Sequence, residues 1–136
     1  MRSLLAATGV GVSLAIVLAT NAQALCVSRS QLSGQWLSDD GGTYHVRRNA
    51  GNVVWWMGKS GDGGRSWTNV FKGVYNPQTN LITGDWSDVI TSTNINSGSL
   101  TLRLNGTLQH VNGFDKVSGS GDGFGGSRWF FHCADS

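Results

Sequence analysis

Between Ser99 and Asn105 the chain alternates strictly: Leu100, Leu102 and Leu104 are separated by Thr101 and Arg103. A period of two puts the three leucines on one face of a strand and the polar pair on the other. The same grammar recurs along the chain, in short β-branched and aromatic segments punctuated by Gly, Asn and Asp. The segments are Leu32–Leu37, Thr43–Arg48, Val53–Met57, Trp67–Tyr75, Leu81–Val89, Ser99–Leu104, Thr107–Val111 and Ser127–Cys133. Most joints are short. Asp39-Asp40-Gly41-Gly42 and Asn49-Ala50-Gly51-Asn52 read as turns, and Asn76–Asn80 holds the single proline where a turn favours it. Asn105-Gly106 is a two-residue hairpin signal, and Asn112–Gly126 reads as a long Gly/Ser loop. No stretch carries a helical period of useful length.

These observations predict an all-β fold, an eight-stranded antiparallel up-and-down β-barrel. A sandwich is the competing architecture, but its Greek-key crossings need longer connections than most found here. Closure also removes the edges that such a Trp- and Val-rich meander would expose.

Residues 1–24 predict a signal peptide. Arg2 supplies a positive start, Leu4–Ala19 is apolar, and Ala22-Gln23-Ala24 is a small-residue cleavage site. The expected mature domain is Leu25–Ser136, secreted or periplasmic, with no membrane association once the signal is removed. Its only cysteines are Cys26 and Cys133. Export places them where a disulfide forms, and one between them closes a loop worth about 4–5 kcal/mol on chain entropy. In a closed meander it would join the first strand to the last.

Charge excludes one class of function. Ten Lys and Arg oppose eight Asp, with no Glu, and removal of Arg2 narrows the gap further. That near balance does not suit a nucleic-acid partner, which calls for a basic stripe. His45, His110 and His132 are scattered without metal-ligand spacing, and no cofactor or metal is expected. Asp62-Gly63-Gly64 and Asp122–Gly126 repeat the acidic, Gly-rich style of Asp39–Gly42, which reads first as turn chemistry. Asn105-Gly106-Thr107 matches a glycosylation acceptor pattern.

The Ser33-Gly34-Gln35-Trp36 segment is similar to the Gly-x-Trp element of the calycin group, and the short hairpins resemble its avidin-like barrels. The resemblance implies that Trp36 plugs one barrel end and that Arg128, beside Trp129, packs over it. It implies a ligand pocket inside the barrel, with Ser38 as a polar contact after the first-strand Trp. The tyrosine expected on the third strand is absent, since that strand reads Val53-Val54-Trp55-Trp56-Met57. The resemblance therefore does not extend to biotin.

Six tryptophans are many for a chain of this size. They serve either as core or as stacking platforms for a sugar ring. Trp55 and Trp56 are adjacent, so one of them faces outward. Asn69 falls in phase with Trp67, Phe71, Gly73 and Tyr75, where an amide must be hydrogen-bonded. Asp88 shares a face with Trp86, and Asp85 does not. Ser38, Tyr44, Trp55, Trp67, Asn69 and Trp86 are the candidate lining of a small-molecule or carbohydrate site, with Phe124 as a cover. Two alternatives stand beside this reading. One is a protein-binding, inhibitory or self-associating module acting through the exposed Trp and the 112–126 loop. The other is a hydrolase, which requires its histidines to converge with an aspartate.

Overall fold

The computed structural model describes residues 30–90, 93, 95–121 and 123–131. Eight strands occur in order: β1 (Gly34–Ser38), β2 (Thr43–Arg48), β3 (Val53–Lys59), β4 (Thr68–Asn76), β5 (Leu81–Asp88), β6 (Ser97–Thr107), β7 (His110–Lys116) and β8 (Arg128–Phe130). Each pairs antiparallel with its sequence neighbour, and β1 pairs with β8, so the meander closes into a barrel. That is the expected architecture, and it matches the calycin and avidin-like topology in general terms.

Strand alternation decides what lies inside. In β4, Asn69, Phe71, Gly73 and Tyr75 are buried while Val70, Lys72, Val74 and Asn76 are exposed. In β3, Val54, Trp56 and Gly58 point in, and Trp55 and Met57 point out. An eight-stranded barrel has an interior that side chains can fill. Here Trp36, Tyr44, Trp56, Phe71, Trp86, Phe114, Phe124 and Trp129 fill it. Trp56 stacks on Phe71 with centroids 4.3 Å apart, Phe114 stacks on Trp129 at 5.0 Å, and Trp36 meets Phe114 edge-on at 5.3 Å. Such ring pairs each add about 0.5–1.5 kcal/mol beyond area burial. The indole N–H groups of Trp86 and Trp129 are buried without a hydrogen-bond partner among the described residues. Each orphan donor costs about 1–3 kcal/mol. Burying an aromatic ring of roughly 150–250 Å² contributes about 4–6 kcal/mol, so burial wins at both positions.

One expected turn is displaced. The β6–β7 hairpin does not reverse at Asn105-Gly106. The ladder instead shifts register there and continues to Thr107↔His110. Gly106 takes φ +97°, and a Cβ on it would lie 2.1 Å from the His110 carbonyl, so this glycine serves a β-bulge rather than the turn. The next strand is therefore His110–Lys116, reaching into the segment expected as loop, and it buries Phe114. Asn105 sits within the ladder and its amide donates to Asp115 at 2.9 Å.

A second correction concerns the seam. No disulfide between Cys26 and Cys133 is found; both cysteines lie outside the described residues, as does the expected signal peptide. The described seam is closed by hydrogen bonds. Its ladder is short, with Leu37↔Phe130 and Ser38↔Trp129 as its registered pairs. Ser38 Oγ donates to the Arg128 carbonyl at 3.0 Å, and the Asp39 amide donates to the same carbonyl at 3.1 Å. The Asp39 carboxylate in turn accepts from the Ser127 amide and hydroxyl, the Arg128 amide and Ser38. Arg128 is exposed on β8, so it does not pack over Trp36 as the resemblance implied. Alternation gives the inward position to Trp129. Trp36 instead meets Phe131 edge-on and donates its N–H to the Leu32 carbonyl at 2.8 Å. No helix among the described residues is long and apolar enough to cross a membrane.

Burial alone would raise the Asp39 carboxyl, but the hydrogen bonds from Ser127, Arg128 and Ser38 together outweigh it and hold the group below its ordinary value of 3.8. A depressed carboxylate stabilises the fold above that value and loses its contribution as pH falls through and below it. Asp39→Ala is expected to lower unfolding free energy by about 1–2 kcal/mol at pH 7, a figure already reduced for solvent exposure. The deficit should shrink in denaturant melts as the pH is taken below about 4. An equal deficit at both pH values would contradict the role given to the charge.

Candidate functional site

The loops after β1, β3, β5 and β7 gather at one end of the barrel, which forms its mouth. A cavity of about 170 Å³ lies there, lined by Asp40, Trp67, Asn69, Trp86, Asp88, Asn96, Phe124 and the glycines at 123 and 125. Sheet register explains the assembly. One rung runs Trp36↔Tyr44↔Gly58↔Asn69↔Asp88 across five strands. The next runs Val46↔Trp56↔Phe71↔Trp86. The first rung brings the polar groups to the mouth, and the second supplies rings beneath them.

Hydrogen bonds link the two levels. Trp56 Nε1 donates to Asn69 Oδ1 at 2.9 Å. Asn69 Oδ1 and the Tyr44 ring meet over Gly58, and the Tyr44 phenol donates to Asp40 Oδ2 at 2.5 Å. Asp40 Oδ1 accepts the Gly42 amide at 2.8 Å, which fixes the β1–β2 turn. That meeting needs room at Gly58. A Cβ there would lie 2.5 Å from the Tyr44 ring and 2.6 Å from Asn69 Oδ1. Gly42 plays the same part for the Trp67 indole, whose edge would lie 2.4 Å from an added Cβ.

Burial, then the bond to Asp40 and its negative charge, push the Tyr44 phenol far above its ordinary value, with the Asn69 amide opposing. Asp62, beyond β3, is held well below the carboxylate range by hydrogen bonds from Ser60 and Ser66, with the amides of Ser66 and Arg65 adding to them against a small burial effect. Ser60 and Ser66 close that turn on its two oxygens. It is an Asx-type turn beside the mouth, as the Gly-rich pattern suggested.

The structure brings Trp67, Asn69 and Trp86 to the cavity wall. Tyr44 lies fully buried behind it, acting through Asp40. Ser38 is buried at the seam and spends its hydroxyl on Arg128 and Asp39. Trp55 is elsewhere: it is 42% exposed on the outer wall, with Lys72 Nζ 4.7 Å from its ring centre. Phe124 inserts its ring into the mouth, edge-on to Trp86 at 4.9 Å, and Lys116 Nζ donates to its carbonyl at 2.9 Å.

Sequence reasoning did not single out Asp40 or Asn96. Asp40 looked like part of an ordinary turn, and Asn96 carries no local signal. Asp88 was placed on the face of Trp86 by alternation alone. His45 is on the outer face of β2 and His110 begins β7 at the opposite end. His132 and Asp122 lie outside the described residues. Among the described residues, no group of three or more His, Cys, Asp or Glu is arranged to hold a metal ion.

No family model, curated protein or solved structure matches this chain.

Tyr44 tests its bond to Asp40. Its raised phenol stabilises the fold at neutral pH, and that contribution is lost as pH rises above about 10. Ultraviolet titration of the native protein is expected to show no Tyr44 ionisation at that pH, so Tyr44→Phe should remove none of the native phenolate signal. Tyr44→Phe should also cost about 1–3 kcal/mol, since it leaves Asp40 short of a partner. A phenolate signal that disappears with Tyr44→Phe near pH 10 would contradict the burial of this hydroxyl.

Proposed function

We propose that this chain is a secreted small-molecule or carbohydrate-binding β-barrel module whose site is the barrel mouth. The observation that carries the reading is the composition of the cavity wall. Ring-bearing Trp67, Trp86 and Phe124 stand beside the directed polar groups of Asp40, Asn69, Asp88 and Asn96. Flat rings cover the apolar face of a sugar, and carboxylates and amides bond its hydroxyls. A volume of about 170 Å³ lies below the roughly 300–1,000 Å³ of drug-sized sites, which suits one sugar ring or a molecule of similar size. Secretion belongs to this reading and rests on the leader, residues 1–24.

Glycan-array screening followed by intrinsic-fluorescence titration tests the proposal. Binding should change Trp emission, and Trp67→Ala should weaken it by about tenfold or more, the loss expected of one stacking ring. Equal affinity in Trp67→Ala would contradict the mouth as the site.

A second reading has its own observation. On the outer wall of β3 and β4, Trp55, Met57, Val70 and Val74 are 42%, 49%, 41% and 56% exposed and sit on adjacent register pairs. Exposed apolar side chains clustered around Lys72 mark an interaction face, and a second copy of this chain is the occupant that reading takes. Sedimentation should then show a concentration-dependent dimer that Trp55→Glu abolishes. A monomer across the micromolar range would remove the reading.

A further inference from the structure

We infer that the mouth takes a small hydroxylated organic ammonium, an amino sugar or amino alcohol, held between ring faces and two carboxylates. This deepens the reading of the mouth as a binding site and rests on it.

Among the described residues, the charged side chains on the cavity wall are Asp40 and Asp88, and no Lys, Arg or His lines it. Lys116, which reaches the same loop, spends its ammonium on the Phe124 carbonyl outside the lining. Two carboxylates on so small a cavity disfavour an anionic ligand and favour a cationic one. The other walls act in the same direction. Trp67, Trp86 and Phe124 present aromatic rings, and a ring face attracts an ammonium through its quadrupole, most strongly when the ion is partly desolvated.

Both carboxylates keep acceptor capacity. Asp40 accepts from Gly42 and Tyr44, and Asp88 Oδ2 accepts from the Asn96 amide at 2.9 Å. Each ionised carboxylate offers about four lone-pair sites, more than these bonds use. The Asn69 and Asn96 side chains on the same wall are amides that suit hydroxyls, which places the ammonium on a hydroxylated molecule.

The test is isothermal titration calorimetry of the purified protein with glucosamine, choline, glucose and N-acetylglucosamine. At least one of the two ammonium compounds is expected to bind about tenfold or more tightly than either neutral sugar. Glucosamine leading identifies an amino-sugar source, and choline leading a methylated amino alcohol. Asp88→Asn keeps an oxygen for the Asn96 amide and should erase the preference, while Asp85→Asn on the outer wall should preserve it. Added salt should weaken the ammonium ligand more than a neutral one, which tests the charge without any variant. Neutral sugars binding as tightly, with no salt effect, would overturn the cation while sparing the mouth as a site. Absence of binding by all four compounds would overturn both.

Discussion

A closed eight-stranded barrel has a fixed internal volume, and that volume must be filled by whatever alternation turns inward. Here large rings fill it. Trp56 on Phe71 and Phe114 on Trp129 form stacked pairs, and Trp36 meets both Phe114 and Phe131 edge-on. Everything else follows from that filling. Glycine is required at position 58, where rings and an amide crowd the wall. Two buried indole N–H groups, those of Trp86 and Trp129, go unpaired among the described residues. The space left over lies at the mouth, where loops rather than strands set the shape.

The mouth is tied to the core by hydrogen bonds from Trp56 to Asn69 and from Tyr44 to Asp40, with Asn69 and the Tyr44 ring meeting over Gly58. The consequence is preorganisation. Asp40 is held by a buried phenol and by the amide of its own turn, so the cavity wall presents a carboxylate already positioned. The seam shows a similar economy. Asp39, the neighbouring residue in the same turn, collects donors from the start of β8, so one short turn serves both closure and site.

Much of this was written in the period of the sequence. The facing of Asn69, the split of Trp55 from Trp56 and the pairing of Asp88 with Trp86 all follow from counting by two, because a strand enforces that count. What counting could not supply was long-range or irregular. The Asn105-Gly106 signal was real, but a bulge used the glycine and moved the turn. Phe114 was hidden in a Gly-containing stretch that read as loop. Arg128 was assigned by resemblance to cover Trp36, and alternation turned it outward. The cysteines of the expected clasp lie outside the described residues, and the described seam is held by hydrogen bonds that no local pattern announces. Asp40 and Asn96 reach the cavity only through loop conformation, which no local pattern encodes.

The central claim is that side chains, not water or an internal ligand, occupy the barrel interior. Hydrogen exchange of the indole N–H groups, followed by nuclear magnetic resonance on nitrogen-15-labelled protein, tests it most directly. The filled barrel predicts slow exchange for the buried indoles of Trp36, Trp56, Trp86 and Trp129, and fast exchange for Trp55 on the outer wall. Fast exchange at Trp56 and Trp129, the two indoles at the centre of the ring cluster, would mean an open interior and would contradict the account.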